Sequence, residues 1–317
     1  MLLVGVDEAG YGPVLGPLCH GLCVLRVPET ASPAWHGDLW HRLAPSVSRM
    51  PAPPGTIAVD DSKLVHAGPR KRERLGLAVS AFFEAACGAP WDGKLETLLD
   101  AEDAEALARE PWGRAPAPPV EIPDGIKHAA ALRACLAAGA VEVVHYRARA
   151  LPAGAFNRDV ERWGNKAEVN GRRAGALLRA AAGFARPGEA VHAVVDRLGG
   201  RKFYAPSLAA SFDGALPRIT EESKARSAYE LDWDARRVAV EFREKADGAS
   251  LPVALASMAA KLARELSMAR FNAWFRTHAP ELAPTAGYYT DAQRFLRETV
   301  ALRAGLKLAD ADLIRAR

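Results

Sequence analysis

The sequence predicts an α/β chain, and three observations carry that expectation. Apolar runs of strand length recur, longer segments have helical patterning, and Gly- and Pro-marked turns separate them. The first run, Leu2 to Val6, suits a buried strand and ends in two adjacent carboxylates, Asp7 and Glu8. Leu18 to Val27 alternates loosely and reads as a second strand paired with the first. Residues 28–55, rich in Pro, Trp and His, read as a loop with a short helix near Trp40. Thr56 to Val59 is a brief apolar run ending in Asp60-Asp61-Ser62-Lys63, and Pro69 then suits the first turn of a helix reaching about Ala86. Residues 88–126 are acidic around Glu96 to Glu110 and Pro-rich beyond, which predicts an inserted helix pair followed by an extended linker. Val141 to Arg147 is a strand candidate, and Asn170 reads as the cap of a long helix. Val191 to Asp196 is a buried strand that also ends in a carboxylate. Arg218–Glu222, Ala228–Trp233 and Arg237–Phe242 alternate like strands of a hairpin or meander. Val253 to Phe275 is the strongest helical segment, and a last helix is expected over Asp291–Leu302.

At 317 residues the chain is one large domain or two small ones, and 49% hydrophobic residues can bury a sizeable core. No apolar run is long enough to span a bilayer, and the N-terminus lacks a basic region ahead of an apolar one. Cys19, Cys23, Cys87 and Cys135 show neither zinc-ligand pairing nor a disulfide framework, so a reducing cytoplasm is the expected setting. The eight histidines form no HExxH-like cluster, which argues against zinc chemistry. A net charge of +4 permits nucleic-acid binding without requiring it.

The chemistry concentrates in three stretches. Neighbouring side chains of a strand point to opposite faces, so Asp7 and Glu8 share one metal ion only if the strand breaks there. Gly10, Gly12 and Pro13 supply a break just beyond. An acidic pair at the end of a buried strand, followed by bare backbone, looks like a divalent-metal site beside a phosphate cradle. A dinucleotide fingerprint fits less well, because Gly16 comes one residue late and Pro13 and Pro17 interrupt the helix that should follow. Lys63, Arg70, Lys71, Arg72 and Arg74 concentrate positive charge useful for phosphate, although Arg70 to Arg74 also suits a solvated helix start. Gly199-Gly200-Arg201-Lys202 offers backbone to a phosphate. Ser257, Lys261 and Glu265, spaced four apart, form one polar stripe on an Ala- and Leu-rich helix. Alone, that stripe reads as a solvent side whose Lys261–Glu265 pair contributes about 0.3–0.5 kcal/mol.

DEAGYGPVLGP at residues 7–17 resembles the DEAGRGPxxGP signature opening type 2 ribonucleases H, which cut RNA within RNA/DNA duplexes; the type 3 enzymes open similarly. Further motifs follow in order. These are the Asp61-Ser62-Lys63 triplet, a helix resembling N-x-x-x-A-x-x-x-A from Asn170, the strand ending at Asp196, and Lys245-x-Asp247. ASMAAKLARELSM resembles ASIxAKxxRDxxM, with Ser257, Lys261, Arg264 and Met268 in step, and Gly287-Tyr288-Tyr289-Thr290 resembles GYxT. The resemblance implies a ribonuclease H-like α/β fold: a central mixed sheet flanked by helices, with C-terminal helices across one side. It further implies one catalytic domain over 1–317, with an insertion at 88–126 and an enlarged β region at 207–245.

By the same resemblance, Asp7, Glu8, Asp196 and Glu265 are the catalytic, metal-holding acids for two Mg²⁺ or Mn²⁺ ions about 4 Å apart. One ion would activate water and the other the leaving 3′ oxygen, with Lys261 neutralising phosphate charge. Gly10, Tyr11, Gly12, Ser62, Lys63, Lys261 and Tyr288 are the implied substrate contacts. The substrate is an RNA/DNA hybrid or duplex DNA with embedded ribonucleotides, and no membrane or obligate protein partner is expected. Two residues depart from the family pattern. Glu265 stands where the type 2 enzymes place an aspartate, and Tyr11 stands where they carry Arg or Lys, which removes a phosphate-gripping charge. Two alternatives remain: a catalytically weakened nucleic-acid binder, and a nuclease of this fold acting on another duplex or junction.

Overall fold

Residues 117–119, 121, 123, 124, 200 and 317 apart, the computed structural model describes the whole chain. It opens with β1 (Leu2–Ala9) and β2 (Leu18–Arg26), then α1 (Trp35–Arg42), β3 (Val47–Ser48), β4 (Ile57–Ala58), α2 (Ser62–Val65) and α3 (Lys71–Cys87). Next come α4 (Leu95–Leu98), α5 (Ala101–Ala108), α6 (Gly125–Ala138), β5 (Glu142–Leu151), α7 (Ala153–Trp163), α8 (Lys166–Gly183), β6 (Val191–Asp196) and α9 (Ala205–Ser211). The chain ends with β7 (Arg218–Glu222), β8 (Arg226–Trp233), β9 (Arg236–Arg243), a single 3-10 turn at Ala246–Gly248, and α10 (Leu251–His278), α11 (Tyr289–Glu298), α12 (Val300–Gly305) and α13 (Asp310–Leu313).

Seven strands form the central sheet in the order β5-β2-β1-β6-β9-β8-β7. Strands β1, β6 and β9 run parallel, while β2, β5 and β8 are antiparallel to their neighbours. The sheet is mixed and flanked by helices, as expected. Alternation along β1 divides the core. Leu3 packs with Cys19, Cys23 and the buried side of α10, while Leu2, Val4 and Val6 pack with Leu177 and Leu178 of α8 and Leu208 of α9. Helix α10 starts cleanly because the Ser250 hydroxyl accepts from Val253 N at 3.4 Å and Pro252 occupies the first turn. It lies close on the sheet because β1 and β2 present bare backbone at Gly5 and Gly21. A Cβ on Gly21 would fall 1.8 Å from Ala256 O.

Several expectations need correction. The strand does not break at Asp7–Glu8: β1 stays paired with β2 through Ala9, and only the ladder to β6 stops, at Val6–Val195. Asn170 is not a cap. Helix α8 begins five residues earlier, where the Asn165 side chain accepts from Glu168 N at 2.9 Å, and Asn170 is 1% exposed. Helices α6 and α7 were not anticipated, and α3 begins at Lys71, after a left-handed Arg70. In the 88–126 segment the helix pair is present as α4 and α5, while much of the expected linker lies outside the described residues. The described residues of this segment pack on the rest of the fold. Asp103 is buried, takes Arg149 Nε at 2.6 Å and accepts from Ala150 N at 2.8 Å, and Trp112 packs edge-on against Phe271. The 207–245 region is no appendage either: β9 pairs directly with β6, and β8 and β7 complete that edge of the sheet.

Candidate active site

Two neighbouring parallel strands deliver three carboxylates to one place. Asp7 and Glu8 lie in the last three residues of β1, and Asp196 is the residue after the last Val6–Val195 pair, so it stands beside Asp7 at the same sheet end. The uninterrupted strand sends Asp7 to the α10 face and Glu8 to the α8 face. Asp7 is influenced by Ser257 of α10 and Glu8 by Asn170 of α8. Convergence therefore comes from two adjacent strand ends and not from a break in one.

Desolvation and mutual repulsion dominate the electrostatics. Burial, then Glu8 and Asp196, raise Asp7 well above the usual carboxylate range. Burial and Asp196 push Glu8 up to about 8, and burial also raises Asp196. Relief is slight. Asp7 Oδ1 accepts from Glu8 N at 2.8 Å, and Asp196 Oδ1 accepts from Ala246 N at 2.8 Å. Among the described residues, Glu8 Oε2 and the nearby Asn170 Nδ2 are both buried without a hydrogen-bond partner. Asn170 is held from behind, its Oδ1 2.6 Å from His20 Nε2.

A cleft of about 660 Å³ opens over the cluster. Asp7, Glu8, Gly10 and Asp196 line it together with Ser62 and Lys63 of α2, the Ser257-Lys261-Glu265 stripe of α10, and Tyr288. The stripe thus borders the cleft instead of serving as a plain solvent face. Ser257 Oγ donates to Ser62 Oγ at 3.0 Å, and burial pulls the Lys261 ammonium below the usual lysine range. Tyr288 caps α11 with 59% of its surface exposed.

Not every expected residue joins this group. Glu265 lines the same cleft, its carboxylate 3.8 Å from His66 and 3.9 Å from Arg72. Asp247 is the carboxylate that does couple to the cluster: burial, Asp61 and Asp196 push it up to about 6. Tyr11 and Gly12 line a neighbouring cleft, and a Cβ on Gly199 would meet the Tyr11 ring at 2.7 Å. Gly200 lies outside the described residues, and Arg201 is engaged by Glu168 at 2.8 Å and Ser207 at 2.6 Å.

Sequence reasoning missed the device that holds the glycine turn. Arg264, 6% exposed, donates to Pro17 O at 3.0 Å, Leu15 O at 3.3 Å and Ala286 O at 2.9 Å. Arg315 reaches from the far end of the chain to Gly10 O and Pro13 O. Main-chain acceptors leave no trace in a motif, so only the helical spacing of Arg264 hinted at a role.

The donors suit a hard divalent cation: the converging side chains offer only carboxylate oxygens, and one of those oxygens is buried and unpartnered. Among the described residues, no three His, Cys, Asp or Glu side chains stand close enough to grip an ion as they lie.

No family model and no curated protein matches the sequence. Among solved structures, the chain is similar to one from the PCNA:RNase HII complex of Archaeoglobus fulgidus, at 14% identity and a TM-score of 0.43, covering 100% of this chain and 95% of that one. Ribonuclease H2 from Pyrococcus horikoshii OT3 aligns at 16% identity and a TM-score of 0.44, covering 99% and 92%. Bst-RNase HIII in complex with Mn²⁺ aligns at 15% identity and a TM-score of 0.42, covering 99% and 66%. Likenesses at these scores decide nothing about chemistry, which has to be read from the site itself. No helix of the described residues is long and apolar enough to cross a membrane.

Proposed function

We propose that the chain is a divalent-metal-dependent endonuclease of the ribonuclease H type 2 kind, with residues 1–317 acting as one catalytic unit. Its substrate is an RNA/DNA hybrid or duplex DNA at an embedded ribonucleotide. The observation that carries this reading is the convergence of a buried Asp7 with half-buried Glu8 and Asp196, mutually repelling, at a cleft also lined by Lys63, Lys261 and Arg72. Desolvated carboxylates without cationic partners are costly, and a site that keeps three of them is built for a cation. Asp7, Glu8 and Asp196, flanked by Glu265 and Asp247, would hold Mg²⁺ or Mn²⁺, which supplies Lewis-acid activation of water and of the scissile phosphate.

The protein's own groups then bind and orient the strand. Lys261 and Lys63 meet the phosphate charge, and the Gly10 backbone allows close approach. The exposed Tyr288 ring offers an apolar face to a sugar and a hydroxyl to hydrogen-bond. Four unpaired cysteines suit a reducing, cytoplasmic setting. A binding-only relative is the second reading, favoured by the engagement of the Glu265 carboxylate with His66 and Arg72.

The test is cleavage of three labelled duplexes: DNA with one ribonucleotide, an RNA/DNA hybrid and all-DNA, each with Mg²⁺, Mn²⁺ or EDTA. Metal-dependent cutting of either ribose-containing duplex, lost in Asp7→Asn, is expected. Binding without cutting would establish the second reading, and equal cutting of all-DNA would overturn the ribonucleotide requirement.

A further inference from the structure

Beside the carboxylate cleft, across a shared ridge, lies a second cleft of about 380 Å³ lined by Tyr11, Gly12, Phe156, Lys166, Tyr289 and Arg315 among others. Consecutive residues divide between the two: Gly10 and Tyr288 face the first, Tyr11 and Tyr289 the second. The two clefts are therefore neighbours, separated by the chain at Gly10–Tyr11 and Tyr288–Tyr289.

The second cleft is cationic, lined by Lys166 and Arg315. Lys166, at the first turn of the 18-residue helix α8, stands 4.9 Å from the centre of the Tyr11 ring. Arg315 is 3% exposed, lies 5.0 Å from the Phe156 ring centre, and among the described residues leaves Nε and Nη1 without a hydrogen-bond partner. Among the described residues neither Lys166 nor Arg315 has a carboxylate partner, and Glu168 nearby is already shared by Arg201 and Arg172. Burial and the neighbouring Arg264 bring Arg315 down to about 9, the direction that an incoming anion would reverse. The α8 N-terminus adds its partial positive charge.

We propose that this second cleft holds a backbone phosphate of the bound nucleic acid. Lys166 contacts the phosphate, Arg315 supplies buried positive charge behind it, and Tyr11 and Tyr289 flank the adjoining nucleotide. The inference rests on the nucleic-acid reading above and extends it: Lys166 delivers from α8 the cation that position 11 does not carry.

The experiment is fluorescence anisotropy of a labelled 12-bp DNA duplex with one ribonucleotide, in EDTA, between about 50 and 300 mM KCl. One lost phosphate contact should lower the slope of log K against log salt by about one. That fall is expected in Lys166→Gln, restoration in Lys166→Arg, and no change in Lys127→Gln, an exposed lysine on α6. Circular dichroism and Tm would check that each variant folds. An unchanged slope in Lys166→Gln, or an equal fall in Lys127→Gln, would overturn the proposal while leaving wild-type binding and the nuclease reading intact. A wild type that does not bind the duplex would overturn both. A parallel titration with inorganic phosphate, followed by tyrosine fluorescence, separates the sources of the anion. Saturable phosphate binding lost in Lys166→Gln, with the duplex slope unchanged, would assign the cleft to a free anion and overturn the backbone assignment.

Discussion

Gly21 sits on β2 where α10 crosses it, and replacing it with alanine should move the helix that carries Ser257, Lys261 and Glu265. The new Cβ would stand 1.8 Å from Ala256 O, 2.6 Å from its carbonyl carbon and 2.9 Å from its Cα. All three are backbone atoms, so no side chain can turn aside. Ordinary contact begins near 3.4 Å, and α10 must therefore shift by roughly 1.5 Å or the strand must buckle. Inserting one carbon into a packed core costs about 1–3 kcal/mol, and a backbone clash belongs at or above the upper end. For a chain of this length, about 3 kcal/mol lowers Tm by roughly 4–5 °C. Because Ala256 is followed by Ser257, the shift also opens the site, and a misplacement near 1 Å costs about 10²-fold in rate. Thermal unfolding and single-turnover cleavage would be measured on Gly21→Ala, with Gly183→Ala as the control because nothing lies within 4 Å of its Cβ position. A Tm within about 1 °C of wild type together with undiminished cleavage would refute the reasoning.

Further expectations follow from the charges. Glu8 is held at about 8 in the folded chain against an ordinary 4.5, so between those values the folded state keeps a proton that the unfolded state has lost. Without metal, stability should therefore fall as pH rises from about 4.5 to 8; Glu8→Gln should flatten that fall, as denaturant midpoints across the range would show. Saturating Mn²⁺ should raise Tm more at pH 8.5 than at pH 5.5, since the deprotonated acids are the ligands. Asp103→Ala should cost about 1–3 kcal/mol by urea unfolding, because it leaves the buried Ala150 N–H without its acceptor, while Arg149 keeps Asp100 and Glu102. Arg264→Met removes three bonds to carbonyls that fix the glycine turn. Its KM for the ribonucleotide duplex should rise at least several-fold, and an unchanged KM would count against the clamp.

The parts of the fold that could be read in advance are those whose pattern is local. β1 and β6 are unbroken apolar runs that end in acids, and α10 is a long Ala- and Leu-rich segment opened by Ser250 and Pro252. Asp7, Glu8 and Asp196 were legible as carboxylates at the ends of buried strands. The placement of Glu265 was not, because helical spacing positions its Cβ but cannot say that His66 and Arg72 arrive opposite it. Asp247 was visible as part of a motif, yet its coupling to Asp61 and Asp196 depends on how the 3-10 turn folds over β6. The cap at Asn165 could have been found: an Asn with Glu three residues later is a helix-start signal, and Asn170 drew attention from it. Arg315 had no legible partner at all, since its acceptors are carbonyls some 300 positions away in sequence.

The central claim is that Asp7, Glu8 and Asp196 form one cation site. Its most direct measurement is calorimetric titration of Mn²⁺ into the protein at pH 7.5, repeated in two buffers of different ionisation enthalpy. With Glu8 near 8 and Asp7 also raised, binding should be saturable and should release about one proton or more. Asp7→Asn and Asp196→Asn should each weaken it by at least tenfold. Binding that needs no proton release and survives both substitutions would place the ion elsewhere and contradict the account.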